Sequence, residues 1–89
     1  MLKPRELEKI VRGFSNHRRI QILELLRRKP NLSVLGIAEE FGINYKTASE
    51  HIRRLHIAGL LTKQNTGKDV RSALTKRGNI VLTFLRTLE

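Results

Sequence analysis

The sequence predicts a mainly α fold with a small β-hairpin, in the order four helices, hairpin, helix. Three observations lead to this prediction. Apolar residues recur at helical spacing in five segments, Gly and Pro residues separate those segments, and two short strand-like runs flank a polar turn. The chain has 89 residues, enough for one domain, so residues 1–89 are expected to form a single unit.

The first two helices are predicted from their end signals. Pro4 suits a first helical turn, where its missing N–H is not needed, and Gly13 is expected to end that helix. Asn16 is a candidate N-cap for the second helix, and Pro30 stops it. The second helix is apolar over a wide arc and is therefore expected to be central. Its apolar residues are Ile20, Ile22, Leu23, Leu25 and Leu26.

A tight turn joins the next two helices. Ser33 is a candidate N-cap of a short third helix, Gly42 fits its left-handed C-terminus, and Asn44 caps the fourth helix, which ends near Gly59. The inward stripe of the fourth helix is Ala48, Ile52 and Leu55. This arrangement over about residues 33–58 predicts a helix-turn-helix, whose second helix enters the major groove of DNA.

The remaining third of the chain predicts a hairpin and a last helix. Residues 60–63 and 70–74 are strand-like, so the hairpin, or wing, is expected over about 60–74. Thr75 is a candidate N-cap for a helix over about 76–88. The apolar stripe of that helix is Ile80, Val81, Phe84, Leu85 and Leu88.

Charge points to a polyanionic partner. Eighteen Lys and Arg residues against eight Asp and Glu give a formal net charge of +10. Nucleic acid is the first expectation and an anionic membrane surface the second. No apolar run approaches the roughly 18 residues of a membrane span, so the protein is expected to be cytoplasmic and nucleoid-associated, with no membrane partner.

Neither a metal site nor an active site is expected. The chain has no Cys, and His51 and His56 are spaced so that they do not share a helix face with each other. Ser49 and His51 lie two residues apart on a helix and cannot face each other as nucleophile and base. We therefore expect that the protein is not an enzyme and that it binds neither a cofactor nor a metal. No small-molecule ligand is evident from the sequence.

Residues 37–55, IAEEFGINYKTASEHIRRL, resemble the recognition core of the ArsR family of bacterial and archaeal repressors. The resemblance is close at residues 49–52 and at residues 58–61, where the chain leaves the fourth helix and enters the wing. Residues 19–23 are similar to the family's second helix. Residues 71–78 look more like the MarR family. Together these resemblances imply a winged helix-turn-helix domain of mixed ArsR and MarR character. They imply a sequence-specific binder of double-stranded DNA that acts as a repressor-like transcriptional regulator.

The outward arc of the fourth helix holds the candidate base-reading residues. At about 100° per residue, this arc contains Lys46, Thr47, Ser49, Glu50, Arg53 and Arg54, with Tyr45 at its N-terminal edge. Lys and Arg can donate to guanine, Ser can pair with several bases, and Glu can accept from cytosine. The alternative for Glu50 is a helix-surface ion pair with Arg54, four residues on.

Further cations are candidates for backbone contact. Those of the wing are Lys63, Lys68 and Arg71, where the alternative is an ordinary solvated hairpin. Arg18, Arg19 and His51 are candidate phosphate contacts. Arg18 and Arg19 begin a helix, where the dipole disfavours cations, although Arg19 also suits a structural role. For His51 the alternative is a partly buried side chain that packs against a neighbouring segment.

The terminal helices carry apolar stripes that either cover the core or form a homodimer. The candidate dimer residues are Leu7, Ile10, Val11, Ile80, Val81, Phe84, Leu85 and Leu88. A dimer would imply an inverted-repeat target with half-sites about one helical turn apart. Two other functions stay open at this point. One is a non-specific architectural DNA-binding protein, and the other is an RNA- or protein-docking winged-helix module.

Overall fold

The computed structural model describes all residues from Met1 to Glu89 and has five helices and a three-stranded antiparallel sheet. The helices are α1 (Pro4–Phe14), α2 (His17–Arg28), α3 (Val34–Phe41), α4 (Tyr45–Ile57) and α5 (Lys76–Arg86). The strands are β1 (Leu32–Ser33), β2 (Leu61–Thr66) and β3 (Asp69–Leu74), in the spatial order β1-β3-β2. The predicted mainly helical architecture is confirmed, with one strand more than expected.

Four side chains cap helices at the positions that the sequence predicts. Asn16 accepts a hydrogen bond from the Arg19 N–H at 3.1 Å. The other three caps form in the same way, with donor–acceptor distances of 2.8–3.0 Å. They are Ser33, Asn44 and Thr75. Each cap satisfies a backbone N–H that has no partner within its helix, which fixes where α2 to α5 begin.

The prediction that Gly13 ends α1 is wrong, because the helix continues through Phe14. Gly13 is buried where α1 crosses the C-terminal end of α4, and a Cβ added there would collide with the Cβ of Ala58. The missing side chain therefore serves the close approach of two helices rather than a helix terminus.

The hairpin occupies the expected residues, but its strands are longer and its turn shorter than the sequence suggested. The β2–β3 ladder runs from the Leu61–Leu74 pair to the Thr66–Asp69 pair, with Gly67 at φ 63° in the turn. Of the polar residues expected between the strands, 64–66 extend β2 and Asp69 extends β3, because both faces of a projecting hairpin tolerate polar side chains; Gly67 and Lys68 remain in the turn. Strand β1 was missed, since two residues carry no readable periodicity; it pairs Leu32 with Ser72.

The core is built around α2, as predicted. Ile22, Leu23, Leu25 and Leu26 are all essentially inaccessible and belong to one cluster of 16 buried apolar residues. α5 contributes Val81 and Leu82 to this core, of which Leu82 was not predicted. No helix is both long and apolar enough to traverse a membrane.

The terminal helices leave part of their apolar stripes uncovered. Ile10 and Leu85 pack partly against the core, and Val81 is buried in it. The other candidate dimer residues are each between 48% and 67% exposed. They are Leu7, Val11, Ile80, Phe84 and Leu88, the last of which lies just beyond α5 because that helix ends at Arg86 rather than at residue 88. The core of one chain therefore does not account for these five side chains.

Candidate nucleic-acid interface

The turn between α3 and α4 fixes the direction in which α4 projects. Gly42 adopts a left-handed conformation, φ 62°, and its N–H donates to the carbonyl of Glu39 at 3.2 Å. The Ile43 N–H donates to the carbonyl of Ala38 at 3.0 Å, which closes the end of α3. Ala38 and Ala48 are buried, and such small side chains let α3 and α4 approach closely. The two helices form the predicted helix-turn-helix.

The faces of α4 separate as the sequence predicts. Ala48, Ile52 and Leu55 are buried in the core. Ser49 is partly buried, and the other candidate base-reading residues are exposed. These are Tyr45, Lys46, Thr47, Glu50, Arg53 and Arg54. The exposed face of α4 is thus polar, with three cations and one carboxylate.

Glu50 joins two of those cations. Its carboxylate accepts two hydrogen bonds from Arg53, at 2.7 and 3.0 Å, and one from Nε of Arg54 at 3.2 Å. The hydrogen bonding of Arg53 is the main cause that lowers the pKa of Glu50 to about 2, and the same contact raises the pKa of Arg53. The ion pair with Arg54 that the spacing suggested is therefore present, but the stronger partner is Arg53, three residues on.

A second polar cluster lies where the start of α2 meets α4. Arg19 Nε and His51 Nδ1 are buried without a hydrogen-bond partner. Burial lowers the pKa of Arg19, and nearby Arg54 lowers it further. Arg18 lies beside this cluster, with its guanidinium 5.1 Å from the ring centroid of Phe41. The three candidate phosphate contacts thus lie near one another, and two of them, Arg19 and His51, each keep one buried nitrogen without a hydrogen-bond partner.

The same cluster predicts how stability depends on pH. Burial lowers the pKa of His51 from 6.5, and the charges of Arg19 and Arg18 add to this effect. Because the pKa of His51 is lower in the folded than in the unfolded state, the unfolded chain binds a proton more readily as the pH falls. The fold is therefore more stable above the unfolded pKa, near 6.5, and loses stability as the pH falls below that value. We expect the Tm to fall between pH 7.5 and 5, and to fall less in His51→Gln. His56→Gln, an exposed change on the same helix, should keep the wild-type profile. Identical profiles for wild type and His51→Gln would contradict this account.

The wing presents two free cations and one that is engaged. Lys63 and Lys68 are exposed and make no ion pair. Arg71 is partly buried; it donates to the carbonyl of Asn31 at 2.9 Å and to the Asp69 carboxylate at 3.3 Å. Arg71 therefore ties the wing to the segment before β1, a role that sequence reasoning missed because its partner is 40 residues away.

Two cations outside the predicted site also lie beside α4. Lys9 and Arg12 of α1 line a cleft together with Arg53 and Arg54. No local pattern in the sequence joins residues so far apart, and only the α1–α4 crossing brings them together.

Known proteins resemble this chain in sequence and in fold. A sequence profile of the arsR family of bacterial regulatory proteins matches residues 16–63, more than half of the chain. No curated protein matches the chain significantly in sequence. One similar solved structure is a homodimeric winged helix-turn-helix DNA-binding domain from Mycobacterium bovis, described as a possible ArsR-family transcriptional regulator. It has a TM-score of 0.85 and 24% identity, over 93% of this chain and 77% of that one.

Two other solved structures share the fold. HlyU from Vibrio cholerae has a TM-score of 0.80 and 23% identity, over 93% of this chain and 90% of HlyU. A MarR family transcription regulator has a TM-score of 0.76 and 20% identity, over 90% of this chain and 55% of that one. The winged helix-turn-helix fold is common to all of them. The chain therefore belongs to the arsR family of bacterial regulatory proteins and is a DNA-binding transcription regulator.

Proposed function

We propose that the protein binds double-stranded DNA sequence-specifically as a homodimer and represses transcription at the nucleoid. In this proposal α4 enters the major groove, and the wing contacts the backbone or the minor groove. The observation that supports it most is the exposed cationic face of α4, whose opposite face is anchored in the core. The proposal assigns the chain a binding role and no catalytic one.

The base-reading residues lie in the N-terminal and middle turns of α4. Lys46 is exposed and makes no ion pair, so it is available to donate to guanine O6 or N7. Arg53 has the same capacity but is held by Glu50. Tyr45 and Ser49, four residues apart, supply hydroxyl groups on one side of the helix, and Thr47 supplies one on another side. Base reading by Arg53 thus requires a rearrangement or a shared contact with Glu50.

In this proposal, side chains on two sides of α4 contact the phosphate backbone of the DNA that flanks the major groove. Lys63 and Lys68 extend along the wing, and Arg18 and Arg19 begin α2 beside His51 of α4. Such contacts fix the register of the protein on the duplex without reading sequence. They also account for part of the formal net charge of +10.

The Glu50 carboxylate should limit affinity for DNA of any sequence. Glu50→Gln removes a negative charge next to the phosphates and frees Arg53 and Arg54. We expect roughly three- to tenfold tighter binding to unrelated duplexes at low salt, measured by fluorescence anisotropy. Glu39→Gln, the same charge change at an exposed site on α3, should have a smaller effect. Equal or weaker binding to unrelated duplexes would contradict this account, and a loss of affinity confined to the selected duplex would instead assign Glu50 a direct contact to a base.

The uncovered apolar stripes of α1 and α5 support the homodimer. Phe84 is 55% exposed at the surface of α5, so Phe84→Glu should leave the fold intact and separate the dimer into monomers. Leu35→Glu, an equally exposed change on α3, should remain dimeric. Sedimentation velocity distinguishes the two variants. A monomeric wild type, or a dimeric Phe84→Glu variant, would contradict this interface.

The experiment that tests the proposed function is a selection from a random duplex pool near physiological salt. Enrichment of an inverted repeat with half-sites about one helical turn apart would support a dimeric, sequence-specific regulator. Recovery of DNA without enrichment would replace it with charge-driven, architectural binding. Failure to recover any duplex would leave an RNA- or protein-docking role.

A further inference from the structure

A cleft between α1 and the C-terminal half of α4 gathers four cationic side chains. Its volume is about 260 Å³, and Lys9 and Arg12 line it from α1. Arg53 and Arg54 line it from α4. The cleft lies beside the crossing of Gly13 and Ala58, where the two helices come closest. Two rigid helices therefore hold these cations around one concave surface.

The charges around the cleft are only partly balanced. Arg12 pairs with Glu8 at 3.4 Å, and Arg53 and Arg54 share Glu50. Lys9 makes no ion pair. Four cations against two carboxylates leave an excess of two positive charges at one concave site, an arrangement that concentrates anions.

The cleft is separate from the candidate dimer face of α1. Lys9 and Gly13 are four residues apart and share one face of the helix. Leu7 and Val11 form a second such pair. It lies two positions before Lys9 and Gly13, and therefore about 200° away from them around the helix axis. A partner that covers Leu7 and Val11 would therefore leave the cleft open.

The cleft lies toward the C-terminal end of α4 and shares only Arg53 and Arg54 with the candidate base-reading residues. Base contacts come mainly from the N-terminal residues of a recognition helix. Arg54 and Ile57 lie in the last turns of α4, and Ile57 is 70% exposed beside the cleft. An occupant of the cleft would thus engage Arg53 and Arg54 but none of the other candidate base-reading residues, because these do not line the cleft.

We propose that this cleft binds a small dianionic ligand bearing a phosphoryl group, and that its binding weakens the binding of DNA. Arg guanidinium groups match phosphoryl oxygens with paired hydrogen bonds, and a dianion balances the excess charge. The volume lies just below the roughly 300 Å³ at which pockets for drug-sized ligands begin, so the ligand is small. Ile57 offers it an apolar contact.

The antagonism with DNA rests on the proposed function, because it requires Arg53 and Arg54 to act at DNA. The ligand would compete with Glu50 for Arg54 and hold Arg53 away from the groove. Coupling of this kind is reciprocal: the ligand lowers the affinity for DNA by the same factor as DNA lowers the affinity for the ligand.

The site is tested by titrating the protein with inorganic pyrophosphate while NaCl keeps the ionic strength constant. In two-dimensional amide NMR we expect saturable shifts at Lys9, Gly13 and Ala58. Lys9→Gln should weaken pyrophosphate binding about fivefold, whereas Lys68→Gln, the same charge change on the wing, should not alter it. Shifts spread equally over the wing, or unchanged binding by Lys9→Gln, would overturn the proposal.

A DNA competition assay separates this site from a backbone contact. With a labelled duplex, pyrophosphate should lower the affinity of the wild type more than that of Lys9→Gln, while Lys68→Gln should weaken DNA binding itself. If Lys9→Gln weakens DNA and pyrophosphate binding equally, the cleft holds a DNA phosphate and the proposal fails. If the protein binds pyrophosphate in the cleft but binds no duplex, the site stands and the proposed function fails.

Discussion

Lys46→Ala and Arg53→Ala are each expected to lower affinity for the selected DNA site by roughly five- to a hundredfold. Affinity for unrelated duplexes should change far less. The physical reason is that a bidentate contact from Lys or Arg to guanine discriminates among base pairs, which a phosphate contact does not. Both side chains lie on the exposed face of α4, so their removal leaves the core intact. Anisotropy titrations against the selected and a scrambled duplex measure the two effects.

Lys63→Ala on the wing is the matched control for these variants. As a backbone contact, Lys63 should contribute almost equally to all duplexes, and its loss should reduce the slope of log affinity against log salt by about one. If Lys46→Ala and Arg53→Ala behaved in this way too, the exposed face of α4 would contact the phosphate backbone of DNA and not its bases. The architectural function would then be favoured over specific reading.

The local parts of the site could be predicted from the sequence because their causes are local. Asn44 caps α4 through a contact three residues along the chain, and Gly42 takes the left-handed conformation that a non-glycine residue disfavours. The inward stripe of α4 follows helical periodicity alone. These features together determine which face of α4 points outward.

The parts that could not be predicted depend on distant residues or on competition between neighbours. Arg71 looks like a free wing cation until β1 brings the Asn31 carbonyl to it. Glu50 has two candidate partners in one helix turn, and only the side-chain geometry shows that Arg53 makes two hydrogen bonds and Arg54 one. In the sequence Gly13 resembles a helix terminator, because the residue that explains it, Ala58, lies 45 positions further along the chain.

Gly13→Ala is expected to destabilise the fold by about 1–3 kcal/mol, the usual range when atoms are forced into a packed contact. The new Cβ would meet the Ala58 Cβ and would lie 3.5 Å from the carbonyl oxygen of Arg54, so α1 would have to move away from α4. For a domain of this size, each kcal/mol shifts Tm by about 4–8 °C, which thermal circular dichroism resolves. Gly36→Ala is the comparison variant and should cost less: its Cβ would make a tight contact of 3.2 Å with the Ser33 Oγ but would strike no neighbouring helix, and helix propensity favours Ala.

A second substitution distinguishes a collision at the crossing from a general effect of Ala in α1. Ala58→Gly removes the Cβ that the new one would strike, so the double variant should lose less stability than the two single variants sum to. A purely additive double variant, or a Gly13→Ala protein as stable as the wild type, would show that the helices do not need this close approach. The same crossing sets the spacing between α1 and Arg54. Gly13→Ala should therefore also widen the cationic cleft and weaken pyrophosphate binding under conditions where the variant remains folded, and Ala58→Gly should restore part of that binding.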